Sequence, residues 1–172
     1  YWLDWCNPDA RDLIAELFAE MTTRYDIDGL HLDYVRFEVE SPTPYGYTDE
    51  CRGMFEKQYG VDPMDIERLS ATQYEWNSFR ERLINTFVQR IALQTRALKP
   101  RIKMSAAVGS SPLTARLNLM QNWPYWAANK WVDFLTPMAY TDRNESFVNL
   151  MTLQQEAAAE WTLLMPGIGQ FI

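Results

Sequence analysis

The stretch DGLHLDYVRFE, residues 28–38, decides how the fold is interpreted. Apolar and polar residues alternate along it before it ends in a cluster of Asp, Tyr, Arg and Glu. Because side chains of a β-strand point alternately to its two faces, Leu30 and Leu32 are predicted to face a layer of helices. His31, the only histidine of the chain, and Asp33 would then lie on the opposite face.

Outward from this strand, helical patterns and short apolar segments alternate along the chain. Asn7 and Pro8 suit the start of a helix, and a long helical pattern covers residues 72–98. Further strands are predicted within residues 102–108, 131–140 and 162–170, with a possible strand end at residues 1–3. Strand and helix in repeated order predict right-handed crossovers and a parallel sheet.

Two architectures fit this order, an open doubly wound sheet and a (β/α)8 barrel. The chain has no glycine-rich phosphate loop at a strand-to-helix turn, which disfavours a dinucleotide-binding doubly wound sheet. Each predicted strand instead ends in polar or aromatic residues that lead into a loop, as in barrel enzymes. We therefore predict an α/β fold of the TIM (β/α)8 barrel type.

A complete barrel needs about 250 residues, whereas this chain has 172. We predict one partial catalytic domain, residues 1–172, that covers about half of a barrel, roughly strands 4 to 7 with their helices. The edge strands of half a barrel would expose unpaired backbone groups. We therefore expect the rest of the barrel in the same polypeptide or in a pairing chain, and any targeting signal upstream of Tyr1.

Charge and composition exclude several classes of function. The net charge is -7 and the basic residues are dispersed along the sequence, whereas nucleic-acid binding requires a basic patch. No apolar run approaches the roughly 20 residues of a membrane span. Cys6 and Cys51 lack the spacing of metal ligands, and neither a metal nor a cofactor is expected. A disulfide between them and two free thiols are both compatible with the sequence.

Asp33 is the first candidate site residue, because a carboxylate at the end of a barrel strand can meet a substrate. It could instead pair with Arg36 or cap a loop. His31 is expected to form a hydrogen bond in the core or behind the site. Asp28 and Asp133, at the starts of strands, are expected to be structural.

Several motifs together resemble the glycosyl hydrolase-like family 10 domain of bacterial proteins. The resemblance begins with the helix that starts Asn-Pro and with YDIDGLHLDY. It continues in order through QYGVDP, WNSFRERLINTFVQRI, KPRIKMSAAV, WVDFLTPMAYT and PGIG. This resemblance implies a (β/α)8 glycosidase whose substrate is a polysaccharide. One branch of the family acts on peptidoglycan glycan strands stripped of their peptides, and many members are secreted or lipoproteins. An extracytoplasmic location is therefore expected.

The chain departs from related patterns at two positions. Many members of the family have a proline where this chain has Glu38. The strand also resembles the fourth strand of chitinase-type barrels, with matches at Asp33, Met138 and Tyr140. The catalytic glutamate of those enzymes falls on Val35, so their acid is absent here.

Glycoside hydrolysis usually requires two carboxyl groups that flank the bond. Asp33 is the first candidate, and Asp142, just after the strand within residues 131–140, is the first candidate partner. Glu38 and Glu145 are alternative partners, and a further alternative is a residue on a strand outside the chain. Arg36 could hold Asp33 ionised or contact an acidic sugar substituent.

The remaining candidates would bind substrate. Strand alternation groups Met138 and Tyr140 on one face, and His31 faces the same interior. A sugar-stacking groove is predicted from the aromatic residues Tyr34, Tyr140, Trp123 and Trp126.

The competing hypothesis is a non-catalytic glycan-binding module on the same fold. Two carboxyls about 5–10 Å apart across a cleft would favour an enzyme, whereas a lone Asp33 tied to Arg36 would favour binding. An intracellular sugar-phosphate or isomerase-type barrel is disfavoured, because no phosphate loop is evident.

Overall fold

A four-stranded parallel sheet forms the centre of the molecule. The computed structural model describes residues 3–38, 45–67 and 70–169. Its strands are β1 (Gly29–Leu32), β2 (Lys103–Gly109), β3 (Phe134–Met138) and β4 (Leu163–Leu164). Neighbouring strands pair in parallel in the order β1-β2-β3-β4, which confirms the predicted parallel sheet. Of the possible strand end at residues 1–3, Leu3 is not in a strand, and the first two residues lie outside the described part.

Helices connect these strands. They are α1 (Pro8–Arg24), α2 (Asp49–Tyr59), α3 (Ala71–Leu98), α4 (Pro112–Leu119), α5 (Trp123–Ala128) and α6 (Asn144–Ala158). Several of these helices begin at a residue whose side chain caps the helix. The side chain of Asn7 accepts a hydrogen bond from the amide of Ala10 at 3.0 Å, and Pro8 follows in the first turn. The hydroxyl of Ser70 caps α3 in the same way.

The main hydrophobic core lies between the sheet and the helices. Leu30 and Leu32 are buried there with Met104, Val88 and Leu135. Strands in sequential order with right-handed crossovers place their helices on one face of the sheet, and the core cluster draws residues from α1, α3, α5 and α6. The predicted helix-facing side of β1 is therefore confirmed.

The opposite face of the sheet carries the residues that alternate with the buried leucines of β1. His31 is paired in register with Ser105, which is paired in turn with Phe134 on β3. His31 and Asp33 are exposed on this face. The burial of β1 therefore alternates between the two faces as the sequence predicts.

A second core cluster surrounds a disulfide. Cys6 and Cys51 are bonded, with their Cα atoms 5.1 Å apart, and both are fully buried. The bond joins the start of α1 to the first turn of α2 across 45 residues of sequence. Phe55 and Trp76 pack around it. The sequence left the state of the two cysteines open, and the structure shows the disulfide.

Asp133 joins three segments at the amino-terminal end of the sheet, as expected for a structural residue. Its carboxylate accepts hydrogen bonds from the amide of Met104 at 2.8 Å and from Lys103 and Arg96, both at 3.1 Å. Burial alone would raise the pKa of this carboxyl. The amide and the two cations outweigh burial, so the pKa lies below its usual value.

Asp133→Asn is expected to destabilise the fold by about 1–2 kcal/mol at pH 7, because it removes charge-assisted hydrogen bonds. A lowered pKa in the folded state stabilises the fold above the unfolded pKa of about 3.9, and this contribution is lost as pH falls through the folded pKa. The stability difference between the two proteins should therefore narrow between pH 7 and pH 3. Urea unfolding at both pH values measures it, with Asp28→Asn as the control. A difference of equal size at both would contradict this role.

Candidate functional site

Three loops meet at the carboxyl end of the sheet, which is where the candidate residues lie. The loop after β1 carries residues 33–38, the turn after β2 carries Ser110, and the segment after β3 carries residues 139–142. Parallel strands are about 4.8 Å apart, so their carboxyl ends bring these segments to one edge. This edge is the candidate active site.

Asp33 begins the loop after β1 and is exposed. Its Oδ1 accepts a hydrogen bond from the amide of Tyr34 at 2.8 Å. Tyr34 has a φ of +56°, in the left-handed region that non-glycine residues seldom adopt. The carboxylate therefore stabilises a sharp turn at the end of the strand, and one of the two alternatives for Asp33, a loop-capping role, is realised.

Arg36 has a different partner from the one considered in the sequence. Its Nη2 lies 3.8 Å from Glu38 Oε2, and its guanidinium stacks over the Tyr34 ring at 4.8 Å from the centroid. The Arg36 and Glu38 side chains are only 16% and 20% exposed, which strengthens both contacts. No ion pair between Arg36 and Asp33 occurs among the described residues.

Two cavities open beside this loop. The larger, about 600 Å³, is mainly apolar and is lined by Leu32, Asp33, Tyr34 and Val35 together with Ile14, Phe18 and Phe87. The smaller, about 200 Å³, is lined by Arg36, Glu38, Tyr45 and Asp4, among others. Val35, at the position of the chitinase acid, is buried against the apolar cavity.

His31 is fixed by a neighbour on β2, as the sequence led us to expect. Its Nδ1 lies 2.8 Å from the hydroxyl of Ser105, and that hydroxyl also donates to the carbonyl of Leu30 at 3.4 Å. Because His31 lies two residues before Asp33 on the same face, it can position the strand end and contact a ligand through its other ring nitrogen.

Trp123 and Trp126 do not line a groove, so this prediction was wrong. Both are fully buried in the main core. The Trp123 indole donates to the carbonyl of Gly109 at 3.1 Å, and the Trp126 indole donates to Asn85 Oδ1 at 2.7 Å. Large aromatic side chains with satisfied N–H groups are favourable core residues, and here they anchor α5 beneath the end of β2.

The segment after β3 presents the remaining candidates. Met138 is half-buried, whereas Tyr140 is 56% exposed and Asp142 is exposed. A Cβ atom on Gly167 would lie 3.1 Å from the Tyr140 ring, so this glycine leaves room for the ring beside the strand end. Glu145 is exposed in the first turn of α6, where a carboxylate complements the helix dipole.

Gln121 is a positioning residue that sequence reasoning missed. Its side chain is fully buried, with Oε1 accepting from the amide of Gly109 at 2.8 Å. Its Nε2 donates to the carbonyls of Val35 at 3.2 Å and Ala107 at 3.4 Å. One amide thus joins the loop after β1 to the end of β2. The sequence offers no periodic signal for it, because the residue lies in the link between α4 and α5.

One group of potential metal ligands lies near the smaller cavity. The ligand atoms of Asp4, Cys6 and Cys51 lie within 4.8 Å of one another. The two sulfurs are bonded together, and the Asp4 carboxylate accepts from the amide of Cys6 and the hydroxyl of Thr48. The disulfide therefore removes the thiolates that a metal would require.

A family model matches nearly the whole chain. The model of the family described as Glycosyl hydrolase-like 10 matches residues 1–166. The chain belongs to the glycosyl hydrolase-like 10 family. No curated protein sequence matches the chain.

A solved structure supports the fold. The crystal structure of a cold-adapted β-galactosidase from Rahnella sp. R3 is similar, with a TM-score of 0.53 and 14% sequence identity. The match covers 81% of this chain and 24% of that one, so the chain corresponds to about a quarter of the length of that enzyme. At this identity the likeness shows the α/β fold alone. Among the described helices of this family member, none is long and apolar enough to cross a membrane.

Proposed function

We propose that this family member is part of the catalytic barrel of a glycoside hydrolase and that Asp33 is a catalytic carboxyl group. The observation that carries the proposal is the position of Asp33, exposed at the carboxyl end of β1 on the open face of the sheet. Barrel enzymes place their reacting groups at this end. The family match and the glycosidase fold support the class of reaction.

Asp142 is the proposed second carboxyl. It follows β3, and β2 lies between β3 and β1. Two strand spacings correspond to about 10 Å between the axes of β1 and β3, which leaves room for a sugar between loops that lean across the edge. In the mechanism, one carboxyl protonates the leaving oxygen and the other attacks the sugar or activates water.

Glu38 is the alternative partner, but its surroundings favour a supporting role. Its carboxylate lies beside Arg36 and lines the smaller cavity. The Arg36 guanidinium already occupies one side of this carboxylate, with Nη2 3.8 Å from Oε2. Glu38 would therefore orient Arg36 toward an acidic substituent of the sugar.

The non-catalytic alternative, a glycan-binding module, rests on the two exposed rings of Tyr34 and Tyr140. Such rings stack on sugars in binding sites as well as in enzymes. The pairing of Arg36 with Glu38 favours the enzyme, because Asp33 is not tied to Arg36 in the described chain. The proposed substrate is a polysaccharide, and peptidoglycan glycan strands without peptides are the first to test.

Asp33→Asn is expected to lower glycan hydrolysis by roughly 10²–10⁴-fold, because the amide can neither donate nor accept the proton that the reaction moves. Asp142→Asn should cause a loss of similar size. The measurement is release of reducing ends from denuded peptidoglycan and from α- and β-glucans by the protein with its barrel complete. Asp28→Asn, at the other end of the same strand, is the matched control.

Near-normal turnover by the folded Asp33→Asn protein would refute the catalytic assignment. If wild type and variant bind the glycan equally and neither cleaves it, the hypothesis of a non-catalytic glycan-binding module is correct. Unchanged circular dichroism spectra of the variants separate these outcomes from misfolding.

We further propose that the missing strands of the barrel belong to the same polypeptide. β1 has a partner on one side only among the described strands, and the apolar cavity of about 600 Å³ lies beside it, between α1 and α3. A right-handed crossover through α1 would place a preceding parallel strand there. Its apolar side chains would contact Ile14, Phe18 and Phe87.

Hydrogen exchange tests this arrangement. In the complete polypeptide, the amides of residues 29–32 that point away from β2 should exchange as slowly as the interior amides of β2, because both would be paired. Fast exchange of these β1 amides, beside slow exchange in β2, would contradict the proposed strand.

An extracytoplasmic location is also proposed, and the buried disulfide supports it because disulfides persist in oxidising compartments. Protein taken from its own cells in the presence of a maleimide should carry no label when unfolded without reductant. After reduction, Cys6 and Cys51 should both be labelled. Labelling of both cysteines before reduction would place the protein in a reducing compartment.

A further inference from the structure

The amino-terminal end of the sheet carries a basic cleft, opposite the candidate active site. This cleft, about 340 Å³ in volume, is lined by Arg96, Arg101, Lys103, Lys130, Asp133 and Trp161, among others. Four cationic side chains thus surround a single carboxylate, in a chain whose net charge is -7. The sequence shows these cations as dispersed, and the fold brings them together.

Three adjacent loops build the basic cleft. Arg101 and Lys103 lie where α3 leads into β2, Lys130 lies between α5 and β3, and Trp161 lies between α6 and β4. These loops follow one another because the strands are in sequential order. None of these three loops leads into or out of β1, so the cleft does not depend on the free edge of that strand.

Two of the four cations are held in place by the internal carboxylate. Arg96 and Lys103 each lie 3.1 Å from an oxygen of Asp133. Arg96 also donates to the carbonyl of Lys130 at 2.6 Å. Asp133 therefore neutralises at most one charge and fixes the arrangement, and the cleft keeps an excess of positive charge.

The other two cations are open to a ligand. Arg101 and Lys130 are exposed, and neither has a carboxylate partner in the part of the chain that the structure describes. Lys130 has a φ of +56°, in the left-handed region that non-glycine residues seldom adopt.

The helix dipole explains only part of this charge. Arg96 lies in the last turn of α3, where a cation is favourable. Arg101 and Lys130 lie beyond the ends of α3 and α5, so helix stability does not account for them. Their charges are therefore available to attract a negatively charged ligand.

Trp161 adds an aromatic wall to the basic cleft. Its side chain is 50% exposed, although tryptophan is usually buried. Pro100 also lines the cleft. An exposed indole beside cations suits a ligand that is both flat-faced and anionic, which describes an acidic sugar residue better than a lone ion.

We propose that the basic cleft binds an acidic polysaccharide, through carboxylate or phosphate groups on its sugars, as a second glycan site remote from Asp33. Arg101 and Lys130 would contact the anionic groups, and Trp161 would stack on a sugar ring. Such a site would hold the protein on a charged polymer while the carboxyl end of the sheet acts on a chain nearby. It does not rest on Asp33 being catalytic.

The test compares Arg101→Gln/Lys130→Gln with the control Arg24→Gln/Lys57→Gln, which removes two exposed cations from α1 and α2 and changes net charge equally. Affinity electrophoresis in polygalacturonate, a phosphomannan or neutral dextran gives the affinities. Wild type and control should be retarded by one or both acidic polymers and not by dextran. The cleft variant should bind roughly tenfold more weakly, and added salt should weaken wild-type binding.

Further variants separate the alternatives. Trp161→Ala should also weaken binding, whereas Tyr74→Ala, which removes a 60% exposed ring from α3 and lies outside both sites, should bind as wild type does. The acidic polymer that retards the protein identifies whether the anionic group is a carboxylate or a phosphate. Equal losses in the cleft variant and the control, or absence of binding to both acidic polymers, would overturn the proposal.

Discussion

The parallel pairing of β1, β2 and β3 is the constraint on which the rest of the structure depends. Its register sets Leu30 beside Met104 and His31 beside Ser105, so one face becomes core and the other becomes the open side. Because all described strands run the same way, every loop that follows a strand lies at one end. Every loop that precedes a strand lies at the other, and the molecule has two chemically distinct ends.

At the carboxyl end, a few buried polar groups hold loops that would otherwise be mobile. Gln121 connects the loop after β1 to the end of β2, and buried amides of this kind are costly unless fully bonded. Arg80 acts at the far side of the same loop, with its guanidinium 5.5 Å from the centroid of the Phe37 ring and 4.9 Å from that of Trp76. Burial lowers the pKa of Arg80 to about 10, which leaves it charged at neutral pH.

At the amino-terminal end of the sheet, contacts between charged side chains hold neighbouring segments together. Asp133 fixes Arg96 and Lys103 while its own backbone pairs with Met104. The same carboxylate therefore stabilises the start of β3 and shapes the basic cleft. At the carboxyl end, Asp33 likewise stabilises a turn, through the amide of Tyr34, while its side chain remains exposed.

The sequence by itself determined the parallel sheet, the start of α1 at Asn7 and Pro8, the long helix α3, the two faces of β1 and the family. Each depends on local periodicity or on motifs within a few residues, which pattern analysis detects. Only the tertiary structure decided which rings are exposed, which carboxylate Arg36 meets, whether Cys6 and Cys51 pair, and where the cations gather. Trp126 and Tyr140 are both aromatic in sequence, but only the packing of α5 against the core buries the first and leaves the second open. These outcomes join residues distant in sequence, and no local pattern encodes the distances between them.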